Sequence, residues 1–153
     1  MCVIDSFTGN WKFLSNFSNH KVVFNLETYP TSEHLYQALK TFDLNDRLEI
    51  KNASTPGRAK RRGQKTKIRS NWDFIKDQYM YGIILLKFKQ NEDIKKKLLS
   101  TFEYKLIEGN VWHDNYWGNC TCEKCKNIIG KNMLGKALMT VRSELSILEG
   151  EIV

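Results

Sequence analysis

The chain has 153 residues, 41% of them hydrophobic, and a net charge of +7 at pH 7. That is the length of one ordinary domain, enough to bury a core without covalent staples. No apolar run approaches the roughly 18 residues of a membrane span, and the opening MCVID lacks the basic start and apolar stretch of a secretory signal. The expectation is therefore a cytoplasmic protein with no membrane partner, whose positive balance favours phosphorylated or polyanionic ligands.

In chain order, "HKVVFNLET" at 20–28 is a β-branched and aromatic run that suits a strand. Pro30, Thr31 and Ser32 then supply a helix start, with Glu33 in the first turn where the helix dipole favours an anion. In the helix that follows, Leu35, Ala38, Leu39 and Phe42 share a core-facing stripe, and Glu33, Tyr36, Gln37 and Lys40 share the opposite side. A short helix is expected over about 46–53, stopped by "STPG", and then an element over 58–69 with seven basic residues and no acidic one. Trp72, Ile75, Tyr79, Ile83 and Leu86 mark the central helix, with Ser70 or Asn71 as its cap. A helix over 92–100, an extended "YKLIEGNVW", and a final helix from about Asn132 with Leu134, Leu138, Val141, Leu145 and Leu148 on one face complete the chain. With no repeat or linker, this predicts one α+β domain over 1–153, predominantly helical with a small β-sheet.

Four groupings carry chemistry. Glu33 and Lys40 lie about two turns apart on one helix face, so a ligand along the helix meets a carboxylate able to move a proton and an amine able to form a Schiff base; the alternative is a washed surface stripe. In "WHDNYWG" at 112–118, Trp112 and Trp117 offer walls for a heterocyclic base and Asp114 an acid or a ribose ligand; equally, the indoles plug a core and Asp114 caps a turn. Gly118 permits a tight turn or a close backbone approach. The basic run from Arg58 to Arg69 suits phosphates, nucleic acid or plain hydration. Cys120, Cys122 and Cys125 have the C-x-C-x2-C spacing of a structural zinc knuckle, with His113 or a partner chain as fourth ligand, or they are reduced thiols. His34, beside Glu33, reads as a packing histidine.

These pieces, in this order, resemble the NADAR (YbiA-like) family. The matching residues are Phe13–Phe17 "FLSNF", "YPTSEHLYQALK" at 29–40, "ASTPGRAKRRG" at 53–63, Arg69 with Trp72, "KFKQN" at 87–91, "EGNVWHDNYWG" at 108–118, and "NMLGKALM" at 132–139 with Arg142, spanning about residues 7–145. The resemblance implies a compact α+β fold and an N-glycosidase that hydrolyses a ribose C1–N bond. The substrate would be an ADP-ribosylated guanine base, with DNA as carrier, or a phosphoribosylamino-pyrimidine intermediate of riboflavin biosynthesis. It further implies Glu33, Lys40, Trp112 and Asp114 as catalytic residues and no cofactor for catalysis. Asn16, Phe17, Trp117, Gly118 and Asn132 would shape the pocket, and Arg69 would bind phosphate. The cysteine segment departs from the shorter connection of many members. A module that binds ADP-ribose or nucleic acid without cleaving it is the competing expectation.

Overall fold

The computed structural model describes residues 2–150. Helices dominate, and the strands form three separate two-stranded ladders where one small sheet was expected. The chain falls into two compact units: Asn16–Asn91, and the segments up to Ser15 and from Glu92 onward.

In the unit of residues 16–91, the expected strand over 20–28 is a hairpin. β2 (Val22–Phe24) pairs antiparallel with β3 (Glu27–Tyr29), and Asn25 and Leu26 turn between them at φ 50° and 65°. Two successive left-handed residues match the twist of the flanking strands, but only the Asn announces that turn, because Leu disfavours positive φ. Gln90 then pairs with Val23 as a further strand would: its side-chain oxygen accepts the Val23 N–H at 2.7 Å and its NH2 donates to the Val23 carbonyl at 2.9 Å.

Helix α1 (Ser32–Leu39) is capped by the Thr31 hydroxyl, which accepts the His34 N–H. It packs against α2 (Leu44–Lys51), α3 (Pro56–Gly63) and α4 (Trp72–Gln90), and all eight of its residues are buried. A sequence read as amphipathic is therefore core on every side. Phe42, expected in the core stripe, is 65% exposed, because α1 ends at Leu39 and the i+7 position falls in the connection.

Asp43 caps α2 through its carboxylate, and Thr55 caps α3 with Pro56 at the first helical position. The helical part of the 58–69 run stops at Gly63. Helix α4 buries Trp72, Met80, Ile83, Ile84, Lys87 and Phe88, whereas the expected stripe members Ile75, Tyr79 and Leu86 are half-buried. The core face advances in steps of four, and the expected stripe drifts off it. Tyr79, Ile83 and Leu86, with Phe24 and Leu39, line an apolar cleft of about 470 Å³.

In the other unit, β1 (Val3–Ile4) runs parallel to β4 (Lys105–Leu106), and β5 (Gly109–Asn110) parallel to β6 (Asn119–Cys120). α5 (Glu92–Leu99) packs on α6 (Met133–Leu148). Leu134, Leu138, Val141 and Leu145 form the expected buried face of α6; Leu148, in its last turn, is 63% exposed. Arg142 is buried on the same helix and donates to the Thr101 hydroxyl at 3.1 Å and the Tyr104 carbonyl at 2.9 Å, satisfying the turn after α5. Among the described residues no helix is long and apolar enough to cross a membrane.

His34 is a packing histidine, as expected. Its Nδ1 lies 2.8 Å from the Thr31 hydroxyl and its Nε2 2.9 Å from the Ala53 carbonyl, so Nε2–H donates and Nδ1 accepts. Burial pushes its pKa below the ordinary histidine value, against a smaller opposing effect of the Ala53 carbonyl. The unfolded chain then takes up a proton more readily than the folded one, so stability is full above about pH 6.5 and falls as pH drops towards the lowered value, by up to about 1.4 kcal/mol per pH unit. Urea unfolding at pH 7.5 and pH 5 should show this loss, and His34→Gln should reduce the difference between the two pH values.

Candidate active site

The start of α1 is braced from Asn16. Its carbonyl accepts the Glu33 N–H at 3.1 Å, its Oδ1 accepts the Ser32 hydroxyl at 3.0 Å, and its Nδ2 reaches Met80 Sδ at 3.4 Å. Asn16 is thus a buried positioning residue for α1, with Phe17 half-buried beside it in the chain. Glu33, 7% exposed, accepts a hydrogen bond from Gln37 Nε2 at 2.7 Å, one turn along the helix. A carboxylate out of water needs such a donor.

The oxygen of that amide, Gln37 Oε1, is buried with no hydrogen-bond partner. Gly63 of α3 lies against it: a Cβ there would sit 2.1 Å from Gln37 Oε1, so only glycine lets α3 approach.

Lys40 follows α1 as its C-cap, with its ammonium 5.1 Å from the centre of the Tyr36 ring. Tyr36 packs on Trp72 at 5.3 Å, and Trp72 meets Tyr79 edge-on at 5.7 Å. Burial pushes the Lys40 amine below the ordinary lysine value; Glu33 opposes this, and the positive charges of Lys60 and Lys76 add to it. The Lys40 carbonyl accepts the Arg69 N–H at 2.8 Å, which ties Arg69 to the end of α1. The Arg69 guanidinium lies 4.2 Å from the Phe42 ring centre and 5.4 Å from that of Tyr79. Exposed Phe42 is thus a platform for a cation.

Glu33 lies in the first turn of α1 and Lys40 at its opposite end, yet near enough for the Glu33 charge to act on the Lys40 amine. Arg69 is tied to the Lys40 end beside aromatic rings that the sequence does not mark as part of a site. Tyr36 and Gln37 were visible in the polar stripe, but helical spacing alone does not tell a buried wall from a wet one. Trp72 marks the central helix in the sequence, and the structure buries it against Tyr36 and Tyr79.

Part of the basic run is structural. Arg62 pairs with Asp46 and Glu49, Asp46 also accepts the Thr66 hydroxyl, and Arg58 donates to the Ser54 hydroxyl at 2.7 Å. Arg61, Lys65 and Lys67 are exposed.

In the other unit, the loop after β5 is organised by side chains. Asn110 Oδ1 accepts the N–H groups of Trp112 and Asp114, and its Nδ2 donates to the Asp114 carbonyl at 2.8 Å. Asp114 Oδ1 accepts from the backbone of Tyr116 at 3.1 Å and Trp117 at 2.8 Å, so this carboxylate caps a turn. Trp112 is 58% exposed, and half-buried Trp117 stacks on Tyr116 at 4.9 Å. Gly118 is required by its own neighbours, since a Cβ there would lie 2.1 Å from the Glu108 carbonyl.

Backbone N–H groups of Lys131, Asn132, Met133 and Leu134 donate to carbonyls of this loop between Asn115 and Gly118, which caps the start of α6 with main chain. The Asn132 side chain is used elsewhere. Its Oδ1 accepts the Glu108 N–H at 2.9 Å and its Nδ2 donates to the Leu106 carbonyl at 2.8 Å, from a backbone at φ 53°. His113, Cys120, Cys122 and Cys125 bring four ligand atoms within 4.8 Å of one another, a group able to hold a metal ion.

A NADAR domain model matches residues 5–146. The N-glycosidase YbiA of Escherichia coli K12 is 38% identical over 135 residues, covering 87% of this chain and 81% of that protein. Its NMR structure superposes with a TM-score of 0.84 and 35% identity, over 99% of this chain and 89% of that one. The N-glycosidase Npun_R5314 of Nostoc punctiforme is 38% identical over 136 residues, covering 86% of this chain and 83% of that protein. The chloroplastic riboflavin biosynthesis protein PYRR of Zea mays is 33% identical over 162 residues, which cover 93% of this chain and 25% of that protein.

A lysine with a depressed pKa carries more uncharged amine at neutral pH. Lys40 should therefore be acylated faster than surface lysines at pH 7.5 in a competitive labelling experiment read by peptide mass. Lys60→Ala, which removes a neighbouring positive charge, should shift its reactivity profile to higher pH.

Proposed function

We propose that this chain, which belongs to the NADAR family and is a hydrolase acting on N-glycosyl bonds, cleaves the C1–N bond of a phosphorylated ribosyl substrate with Glu33 and Lys40. The observation that carries the reading is the buried Glu33 carboxylate, oriented by Gln37, on the helix that ends in an amine whose charge burial disfavours.

The bond breaks with positive charge developing at C1 of the ribose, as in other glycosidic cleavages. The uncharged Lys40 amine adds to C1 as the C1–N bond breaks, and the departing nitrogen leaves with a proton that Glu33 hands on from that amine. The ribose ring then opens with C1 held on Lys40 as an imine, and water hydrolyses the imine to free the sugar aldehyde and return the amine. Arg69 binds phosphate through its guanidinium, as its planar fork suits. In the other unit, the exposed Trp112 indole offers a face on which a heterocyclic base can stack, with Trp117, Gly118 and Asn132 holding the loop. Asp114 keeps that turn closed through the Tyr116 and Trp117 N–H groups. No cofactor enters these steps, and the metal suited to the Cys3His group is given a structural role as zinc.

Of the two substrate classes, ADP-ribose on a guanine base of DNA fits the charge better, because a +7 chain with exposed Arg61, Lys65 and Lys67 gains from a polyanionic carrier. Purified protein offered an ADP-ribosylated oligonucleotide and, separately, a phosphoribosylamino-pyrimidine should release free sugar from the first with the higher kcat/KM, read by mass spectrometry. Lys40→Ala and Glu33→Gln should each lower kcat by about 10²-fold or more with unchanged circular dichroism. Binding without release of either product would support the non-catalytic alternative, and equal turnover in the folded Lys40→Ala protein would remove the lysine from the reaction.

A further inference from the structure

We infer that His113, Cys120, Cys122 and Cys125 of a single chain form a complete tetrahedral Zn²⁺ site, and that the ion is the clamp that sets the conformation of the 111–125 loop. Three thiolates and an imidazole are a usual structural zinc set, and four protein ligands leave no open position for chemistry. His113 Nδ1 lies 3.3 Å from Cys122 Sγ and 3.4 Å from Cys125 Sγ. Zinc–sulfur and zinc–nitrogen bonds of about 2.3 and 2.1 Å make tetrahedron edges of roughly 3.5 to 3.8 Å, so these two edges are close to the dimension of the site, and all four ligand atoms lie within 4.8 Å of one another. The fourth ligand is thus supplied by His113, with no partner chain needed.

The surrounding backbone is arranged for the same purpose. The His113 N–H donates to Cys120 Sγ at 3.3 Å, the kind of outer bond that orients a metal ligand. The Cys125 N–H closes a tight turn onto the Cys122 carbonyl at 3.0 Å, presenting two thiols from one corner. His113 itself sits at φ 70°, a left-handed conformation that a non-glycine residue keeps only where its surroundings enforce it. Ligation would supply that enforcement. The ion would join the His113 turn, β6 and the Cys122–Cys125 turn, adding to ladders two residues long and to the Asn110, Asp114 and Asn115 side-chain bonds. Thiolate sulfur with imidazole favours zinc over the hard cations that carboxylates select.

The full-length protein, purified under reducing conditions, should contain one zinc per chain by elemental mass spectrometry. Replacement by Co²⁺ should give the absorption of a sulfur-rich tetrahedral centre. His113→Ala and Cys122→Ser should each weaken zinc binding at least as much as the roughly 10–100-fold loss seen when outer-shell partners are removed. Cys2→Ser, which changes the exposed cysteine outside the group, should leave stoichiometry at one. Chelation should raise hydrogen exchange within 111–125 by tenfold or more. Folded wild-type protein that holds less than about a tenth of an equivalent of zinc and takes up no tetrahedral Co²⁺ would overturn the site. Metal loss without a change in exchange at 111–125 would overturn the clamp. Neither readout depends on turnover, so failure here is distinct from failure of the glycosidase reading.

Discussion

A carboxylate withdrawn from water must find donors inside the protein or be lost as a charge. Helix α1 is built around that constraint. Its eight residues are buried on all sides, which places Glu33 in the interior and obliges Gln37, one turn later, to donate to it. Gln37 in turn needs room that only Gly63 leaves, and the helix start needs the backbone and side chain of Asn16. The same packing holds the Lys40 amine against Tyr36, where its charge is disfavoured. Were α1 an ordinary surface helix, both groups would be hydrated, and neither would differ from any other acid or lysine on the chain.

The other unit meets a different difficulty. Ladders two residues long contribute little by themselves, so side chains carry the organisation. Asn110 ties the start of the loop, Asp114 its turn, and Asn132 joins α6 to the segment 106–108. Several residues that the family resemblance marks for substrate thus have structural bonds of their own. A polar group that organises a loop can also decide what that loop presents.

Periodicity revealed what depends on local chain geometry. Five of the six α-helices among the described residues, the Thr31 cap and the buried face of α6 follow from spacing and capping chemistry, and the core role of His34 from its neighbours, whereas α3 showed in the sequence only as a basic run. Properties set by partners distant in the chain were hidden. Nothing in "YPTSEHLYQALK" reports that its polar stripe is buried, because that depends on where α2, α3 and α4 pack. The turn at Asn25–Leu26 was masked by a leucine in a conformation leucine disfavours, so a hairpin read as one strand. Phe42 kept the rhythm of the helix after the helix had ended. The cysteine spacing was legible, and the backbone then carried His113 to the thiols.

The most direct test of the account is to add borohydride during turnover and map the labelled peptide. The account predicts a ribosyl adduct reduced onto Lys40, formed only with substrate present and absent from Lys40→Ala. Full turnover with Lys40 unmodified under the same conditions would contradict it.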